Sequence, residues 1–205
     1  MDHRGRIVLA TKYTDAAPGN DPNAAGNHRK SMMQAVEASL NRLRTDYVDL
    51  YWLHAWDQIT PIDEVMRAFG DLVRQGKILY AGVCNMPAWL VARANTLAEL
   101  RGWTSFAGLR IEYSLIERTP ERDLLPMAAD LGLGVTAWSP LAGGLLTGKH
   151  MEPGGAKDSR QNHPSIQQFM KPDARKETVA REVVAVARES GHSPAQVALA
   201  WLRQP

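Results

Sequence analysis

Residues 48–76 read VDLYWLHAWDQITPIDEVMRAFGDLVRQG, and this stretch decides the fold class. Its first six residues are mostly apolar strand formers, which predicts a short buried strand. Thr60 and Pro61 then supply a helix cap and a first-turn proline, and the apolar residues after them recur at helical spacing. Gly76 ends the predicted helix. The stretch is therefore a strand followed by a helix.

The same strand and helix unit recurs along the chain. Further strands are predicted at residues 7–11, 78–83, 106–111 and 135–138, and helices at about 29–44, 88–100 and 119–131. Two closing helices are predicted near 175–190 and 194–203. Five strands that are each followed by a helix indicate an α/β protein with a parallel sheet and right-handed crossovers.

The spacing of these units fits a barrel of the triosephosphate-isomerase (TIM) type. A complete barrel takes about 250 residues, whereas this chain has 205. We therefore predict one domain over residues 1–205 that forms an incomplete (β/α)8 barrel. A doubly wound sheet is less favoured, because no predicted strand is followed by a Gly-x-Gly-x-x-Gly turn.

Composition excludes several classes of function. The net charge is +2 with interleaved acidic and basic residues, so nucleic acid is not expected as a partner. No apolar run reaches the roughly 20 residues that span a bilayer, so no membrane contact is expected. The chain has one cysteine and an N-terminus unlike a signal peptide, which predicts a cytoplasmic location.

Two polar residues stand at the ends of predicted strands. Lys12 follows the first strand in line with Ala10, and His54 follows the second in line with Trp52. Both side chains could complete inward-facing rows at the carboxyl ends of the strands, where barrel enzymes build their sites. The alternative is a surface lysine and a hydrogen-bonded core histidine. Two long connections, 13–27 and 140–172, follow strands at the same end and favour a functional site there.

Four motifs occur in order along the chain. They read LATK at 9–12, DYVDLYWLH at 46–54, GVCN at 82–85 and WSPLAGGLLTGK at 138–149. Together they resemble the aldo-keto reductases, and the match extends from about residue 6 to residue 201. The Ser-Pro-Leu form of the last motif is most similar to the branch of bacterial aldo/keto reductases and potassium-channel β-subunits.

The resemblance implies a catalytic role for two residues. Lys12 matches the lysine that lowers the pKa of the catalytic tyrosine, and His54 matches the histidine that positions the substrate carbonyl. The implied substrate is a small molecule that carries this carbonyl group. No metal is implied.

The resemblance also implies an NADP(H) site. Asn85 matches the residue that binds the nicotinamide carboxamide, and Arg110 stands where a glutamine normally reaches the same group. Trp138 matches the aromatic ring that stacks on the nicotinamide. The remaining matches are a loop whose backbone holds the pyrophosphate and a basic contact to the cofactor: Ser139, Leu141, Gly143 and Lys149.

The chain departs from the family pattern in ways that affect activity. The family's catalytic tyrosine and its supporting aspartate come before the strand that carries Lys12, so the first two strands of the barrel are expected to be absent. The family pattern continues after residue 203 into an eighth strand, so the last strand is expected to be absent as well. Tyr113 is the one tyrosine considered as a substitute, and Cys84 replaces the usual serine. An incomplete barrel would leave open edges. Either the chain is a fragment or late-start reading of a longer protein, or an oligomer covers those edges.

Three interpretations of function follow from the resemblance. The first is an NADP(H)-dependent oxidoreductase that reduces aldehydes or ketones to alcohols and is impaired in this chain. The second is a non-catalytic nucleotide-binding or regulatory remnant of an aldo-keto reductase. The third is a structural remnant without activity.

Overall fold

The computed structural model describes residues 4–15, 21–151 and 173–204 of the chain. Its residues divide into two compact units. The first unit consists of Met1–Ile111 and Arg122–Thr136, and the second consists of Glu112–Glu121 and Ala137–Pro205. That residues 1–205 form a single domain stays a prediction.

Strands and helices alternate in the predicted order. The strands are β1 (Ala10–Tyr13), β2 (Val48–Leu53), β3 (Ile78–Cys84), β4 (Phe106–Glu112) and β5 (Gly134–Trp138). The helices are α1 (Arg29–Leu43), α2 (Ile62–Arg74), α3 (Ala88–Arg101), α4 (Leu124–Asp130), α5 (Ala174–Ser190) and α6 (Pro194–Leu202). The strands form one sheet in the order β1-β2-β3-β4-β5. The prediction of five parallel strands in a partial barrel is confirmed.

Two predicted elements begin three or more residues later in the structure than the sequence predicts. The first strand begins at Ala10 rather than at Ile7, because the backbone N–H of Leu9 donates to the Asp49 carboxylate at 2.8 Å. Lys12 therefore lies inside β1 instead of after it. Helix α4 begins at Leu124, and the predicted start at Thr119–Glu121 is a separate 3₁₀ turn.

Aromatic rings fill the space between the sheet and helix α2 in the first unit. Tyr13 stacks on Tyr51 with ring centroids 5.3 Å apart, and Phe69 of α2 meets both rings edge-on. Phe69 also contacts Phe106 at 5.6 Å. All four side chains are buried. Tyr13 thus faces the helices, on the opposite side of β1 from Lys12.

The other face of the sheet is shaped by one tryptophan. The register pairs Lys12 with Trp52, Trp52 with Gly82 and Gly82 with Gly108, so these residues form one row. A Cβ atom on Gly82 would lie 2.4 Å from Cε3 of Trp52, and one on Gly108 would lie 3.0 Å from Cη2. The indole therefore lies flat across β3 and β4, and only glycine leaves room for it.

Below this row, apolar side chains are exposed. Val8 is 78% exposed and Tyr80 is 59% exposed. With Leu50 and Trp52 they line a hollow of about 360 Å³ on the same face of the sheet. This open face agrees with an incomplete barrel. That a partner chain covers it stays a prediction.

The second unit has a smaller core of its own. Leu145 and Leu146 pack against Val183 of α5 and Ala198 of α6. Helix α6 begins with the predicted Ser193 cap, which forms a capping box with Gln196. Within the described ranges, no helix is long and apolar enough to span a membrane.

The packing of Trp52 predicts the effect of adding one methyl group. We expect Gly82→Ala to lower the free energy of unfolding by about 3 kcal/mol, at the upper end of the range for overpacked cores. Denaturant unfolding followed by circular dichroism measures this change. Gly70→Ala is the matched control, because Gly70 is buried in α2 and the nearest atom to its added Cβ is 3.8 Å away. Equal stability of the two variants would contradict the proposed contact.

Candidate functional site

Three predicted site residues lie at the carboxyl ends of β1, β2 and β3. Lys12 is exposed and is the third residue of β1. His54 follows β2, and its N–H donates to the carbonyl of Tyr13 at 3.1 Å. Asn85 follows β3 in a left-handed conformation, with φ 49°, and its N–H donates to the carbonyl of Arg110 at 3.3 Å. The parallel register therefore places Lys12, His54 and Asn85 at the same end of the sheet.

An aspartate that the sequence analysis missed lies against His54. Nδ1 of the histidine is 2.5 Å from Oδ2 of Asp15. If Nδ1–H donates to this carboxylate, Nε2 is an acceptor in the neutral ring and a donor only when the ring carries two protons. The two residues are 39 positions apart, so no local sequence pattern indicates this pair.

A buried asparagine connects the loops that carry these residues. The side-chain amide of Asn27 donates to Oγ1 of Thr14 and to the carbonyl of Ala55, both at 2.9 Å. Its carbonyl oxygen accepts the N–H of Asp57 at 2.9 Å. Asn27 therefore links the segment after β1 to the segment after β2. The next residue, His28, caps helix α1 through its side chain.

Asp57 completes this network from the second loop. Its carboxylate accepts the N–H of Asn27 at 2.8 Å and both the N–H and the hydroxyl of Thr60. Partial burial raises the pKa of Asp57, but the hydrogen bonds from Thr60, Asn27 and Ile59 outweigh it and hold the pKa below its usual value. The charged form therefore fixes both loops.

Cys84 and Arg110 are paired across β3 and β4 at the same end of the sheet. The thiol is 1% exposed. Burial raises the pKa of Cys84 to about 11, although the positive charges of Arg110 and Lys12 lower it. In the register of the sheet, Arg110 is the direct neighbour of Cys84, and Lys12 lies in the row of Gly82, two residues before Cys84. Cys84 is a protonated, unreactive thiol in this position.

Four of the five tyrosines of the chain lie in the first unit, and none of them resembles a catalytic acid. Tyr13 and Tyr51 are buried in the aromatic core, and burial raises the pKa of each. The ring of Tyr47 lies 4.1 Å from the guanidinium of Arg4. Tyr80 lies in the row below Trp52, since it pairs with Leu50.

Tyr113, the tyrosine considered as a substitute acid, is engaged elsewhere. Its hydroxyl donates to Oε1 of Glu121 at 2.8 Å, and Arg118 binds the same carboxylate through two nitrogens. Burial raises the pKa of Tyr113, and the hydrogen bond and charge of Glu121 raise it further. A phenol that is harder to ionise and bonded to a carboxylate is poorly suited to the role of the family's tyrosine.

The segment after β5 has an unusual backbone. Trp138, half-buried, ends the strand, and the residues after it form a tight 3₁₀ region at Ala142–Thr147. Four residues of this segment have left-handed φ values: Ser139 at 51°, Ala142 at 48°, Gly143 at 64° and Gly144 at 100°. Successive right-handed and left-handed residues make the backbone concavities that bind anions.

The backbone hydrogen bonds of this loop leave alternate amides without an acceptor. The N–H groups of Ala142, Gly144 and Leu146 donate to carbonyls of Ser139 and Leu141. The N–H groups of Ser139, Leu141 and Gly143 donate to no acceptor in the described part of the chain. These are the three residues that the resemblance assigns to the pyrophosphate. Three available amides in one loop fit a phosphate ligand.

Lys149 follows this loop and is exposed. The rest of the long connection 140–172, residues 152–172, lies outside the described residues, as do residues 16–20 of the first connection. Across the described ranges, no three histidine, cysteine, aspartate or glutamate side chains are grouped so that they could hold a metal ion.

The environment of Cys84 predicts slow chemical modification. Since its pKa is raised to about 11, the thiolate fraction near pH 8 is roughly 100-fold below that of an ordinary thiol. We expect a disulfide reagent such as Ellman's reagent to label the folded chain at least about 100-fold more slowly than the urea-unfolded chain. The reference is an exposed thiol introduced by Ser105→Cys in a Cys84→Ser background. Equal labelling rates for the two folded thiols would refute this account of Cys84.

Comparison with known proteins extends the resemblance to the whole chain. The family model described as "Aldo/keto reductase family" matches residues 1–205. An uncharacterised oxidoreductase of Bacillus subtilis is 38% identical over 204 residues, which cover 97% of this chain and 60% of that protein. An aldo-keto reductase of Emericella nidulans is 36% identical over 207 residues, 98% of this chain and 52% of its own length.

A third relative matches over a shorter range with higher identity. The norsolorinic acid reductase of Aspergillus flavus is 44% identical over 147 residues, which are 69% of this chain and 38% of that protein. The chain thus spans 60% or less of the length of these three relatives. The match of the family model over all 205 residues shows that the chain belongs to the aldo/keto reductase family.

Proposed function

We propose that the protein is an NADP(H)-dependent oxidoreductase that reduces aldehydes or ketones to alcohols. Its family and the oxidoreductase names of its relatives support a reductase. The observation that supports a dinucleotide cofactor is the loop at Ser139, Leu141 and Gly143, whose three amides have no acceptor in the described residues; the choice of NADP(H) rests on the family resemblance. Backbone amides of this kind bind the phosphates of nucleotides.

Residues of the second unit would hold the nucleotide part of the cofactor. The loop amides donate to the pyrophosphate, and the ammonium of Lys149 adds a positive charge at the end of the loop. Trp138 offers its ring to the nicotinamide. A bound reduced nicotinamide supplies the hydride that carbonyl reduction requires.

Residues at the carboxyl ends of the strands would act on the substrate and on the nicotinamide ring. His54 positions the carbonyl oxygen through Nε2, while Asp15 orients the ring from Nδ1. Lys12 contributes a positive charge that stabilises negative charge developing on the oxygen. Asn85 and Arg110 provide donors for the carboxamide. The implied substrate is a small molecule with a carbonyl group, and the implied location is the cytoplasm.

Reduction also needs a proton at the carbonyl oxygen, and this requirement limits the 205-residue chain. Of its five tyrosines, Tyr13 and Tyr51 are buried, and Tyr47 stacks against an arginine. Tyr80 lies one row below Trp52, and Tyr113 is bonded to Glu121. We therefore propose that the chain by itself turns over little substrate. The same observation favours the second candidate function, a nucleotide-binding or regulatory module without turnover.

The proposed role of Lys149 predicts weaker cofactor binding when it is removed. A charge-assisted contact contributes about 1.5–3 kcal/mol, so we expect Lys149→Ala to lower the affinity for NADPH by at least about tenfold. Quenching of tryptophan fluorescence measures the affinity. Lys30→Ala is the control, since Lys30 is exposed on α1 in the first unit. An equal loss in both variants, or no NADPH binding by the chain, would contradict the proposal.

The engagement of Tyr113 predicts the outcome of a turnover assay. We expect the chain to oxidise NADPH slowly with a reactive nitrobenzaldehyde, because a general acid typically contributes about 10²–10⁴-fold. Tyr113→Phe should leave this low rate unchanged. Circular dichroism checks that the variant stays folded without its bond to Glu121. Fast turnover that Tyr113→Phe abolishes would make Tyr113 the acid and overturn this part of the proposal.

A further inference from the structure

Helices α2 and α3 enclose a surface groove that the reductase function does not use. Its volume is about 550 Å³, and it is lined by Asp63, Arg67, Arg93, Leu97, Arg101 and Trp103. Arg93, Leu97 and Arg101 recur every four residues on α3, so they share one side of that helix. We call this surface the arginine groove.

The positive charge of the arginine groove is not neutralised within the chain. The guanidinium groups of Arg67, Arg93 and Arg101 form no hydrogen bond or ion pair in residues 4–15, 21–151 and 173–204. Asp63 is the single carboxylate among the lining residues. Three cations against one anion give the groove a local charge of about +2.

The hollow next to the groove contrasts with it. It shares Asp63, Arg67 and Trp103 with the groove. Elsewhere in this hollow, Arg29 and Arg74 both pair with Asp71. Two arginines of this hollow are therefore ion-paired, whereas Arg67, which lines both hollows, and the two arginines of α3 have no ion pair in the described residues.

Trp103 adds an apolar floor to the groove. Its ring is half-buried, and its indole N–H donates to no acceptor in the described part of the chain. Arginine and tryptophan are the residue types that most often dominate binding at protein interfaces. With Leu97, the indole offers apolar contact between the charged groups.

We propose that the arginine groove docks an acidic peptide segment of a protein partner, with an apolar side chain between its carboxylates. Arg93 and Arg101 are eight residues apart, so their Cα atoms are separated by about 12 Å along α3. An extended peptide rises about 3.3 Å per residue, so carboxylates four residues apart span this distance.

Nucleic acid is the less favoured partner. Nucleic acid requires a wider basic surface than three arginines. Here Asp63 lines the groove, and Arg29 and Arg74 of the adjoining hollow are already paired with Asp71. The net charge of the whole chain is +2. An acidic segment of a few residues matches both the extent and the charge of the groove.

The test measures binding of a fluorescein-labelled hexapeptide, Glu-Glu-Phe-Leu-Glu-Glu, to the 205-residue chain by fluorescence anisotropy at low ionic strength. We expect Arg93→Glu with Arg101→Glu to weaken binding by at least about tenfold. The matched control is Arg181→Glu with Arg188→Glu, which makes the same change of net charge on α5. It should weaken binding by less than about twofold. A peptide with glutamine in place of glutamate should bind at least about tenfold more weakly than the acidic one.

Several outcomes would overturn the proposal. These are no binding of the acidic peptide, equal losses in the two double variants, or equal binding of the glutamine peptide. Tighter binding of a single-stranded oligonucleotide that is lost in the Arg93 and Arg101 variant would assign the groove to nucleic acid instead. If charge reversal prevents folding, as circular dichroism reports, Arg93→Gln with Arg101→Gln makes the same comparison against Arg181→Gln with Arg188→Gln.

Discussion

The parallel register of the sheet is the constraint on which the rest of the first unit depends. It places Lys12, Trp52, Gly82 and Gly108 in one row. The indole of Trp52 can lie across this row because neither glycine carries a side chain. A slip of one residue in the strand of Lys12 or of Trp52 would turn that side chain to the helix face. Packing and register therefore support one another.

The same register explains why polar side chains lie together at one end of the sheet. Side chains alternate along each strand, so the row above Trp52 contains Cys84 and Arg110, and His54 continues the line of Trp52 beyond β2. Backbone beyond the strand ends can turn, as Asn85 does with its left-handed conformation. Barrel enzymes use this end of the strands for the same reason.

Order in the loops at this end comes from buried polar groups. Asn27 and Asp57 together satisfy amides and carbonyls from the segments after β1 and β2, which contain Asp15 and His54. In the second unit, the loop after Trp138 satisfies its own backbone only in part. The first arrangement fixes the positions of Asp15 and His54, and the amides of the second that have no acceptor in the described residues are the ones proposed to bind phosphate.

The sequence by itself determined the order of strands and helices, the family and the positions of the motif residues. These follow from local patterns, because apolar periodicity, caps and glycine turns act over a few residues. Its errors lie where a distant contact overrides a local preference. Asp49, for example, accepts the N–H of Leu9, and β1 begins later than its apolar pattern predicts.

Only the tertiary structure decided which side chains are available for chemistry. No local pattern predicts that Asp15 pairs with His54 or that Tyr113 bonds to Glu121. No local pattern predicts that Gly82 and Gly108 leave room for the indole of Trp52. The unpaired arginines of the groove are likewise recognised only when α2 and α3 are seen side by side. Hydrogen bonds and charge pairing depend on distances of a few ångströms between atoms. Those distances are set by the packing of the folded chain.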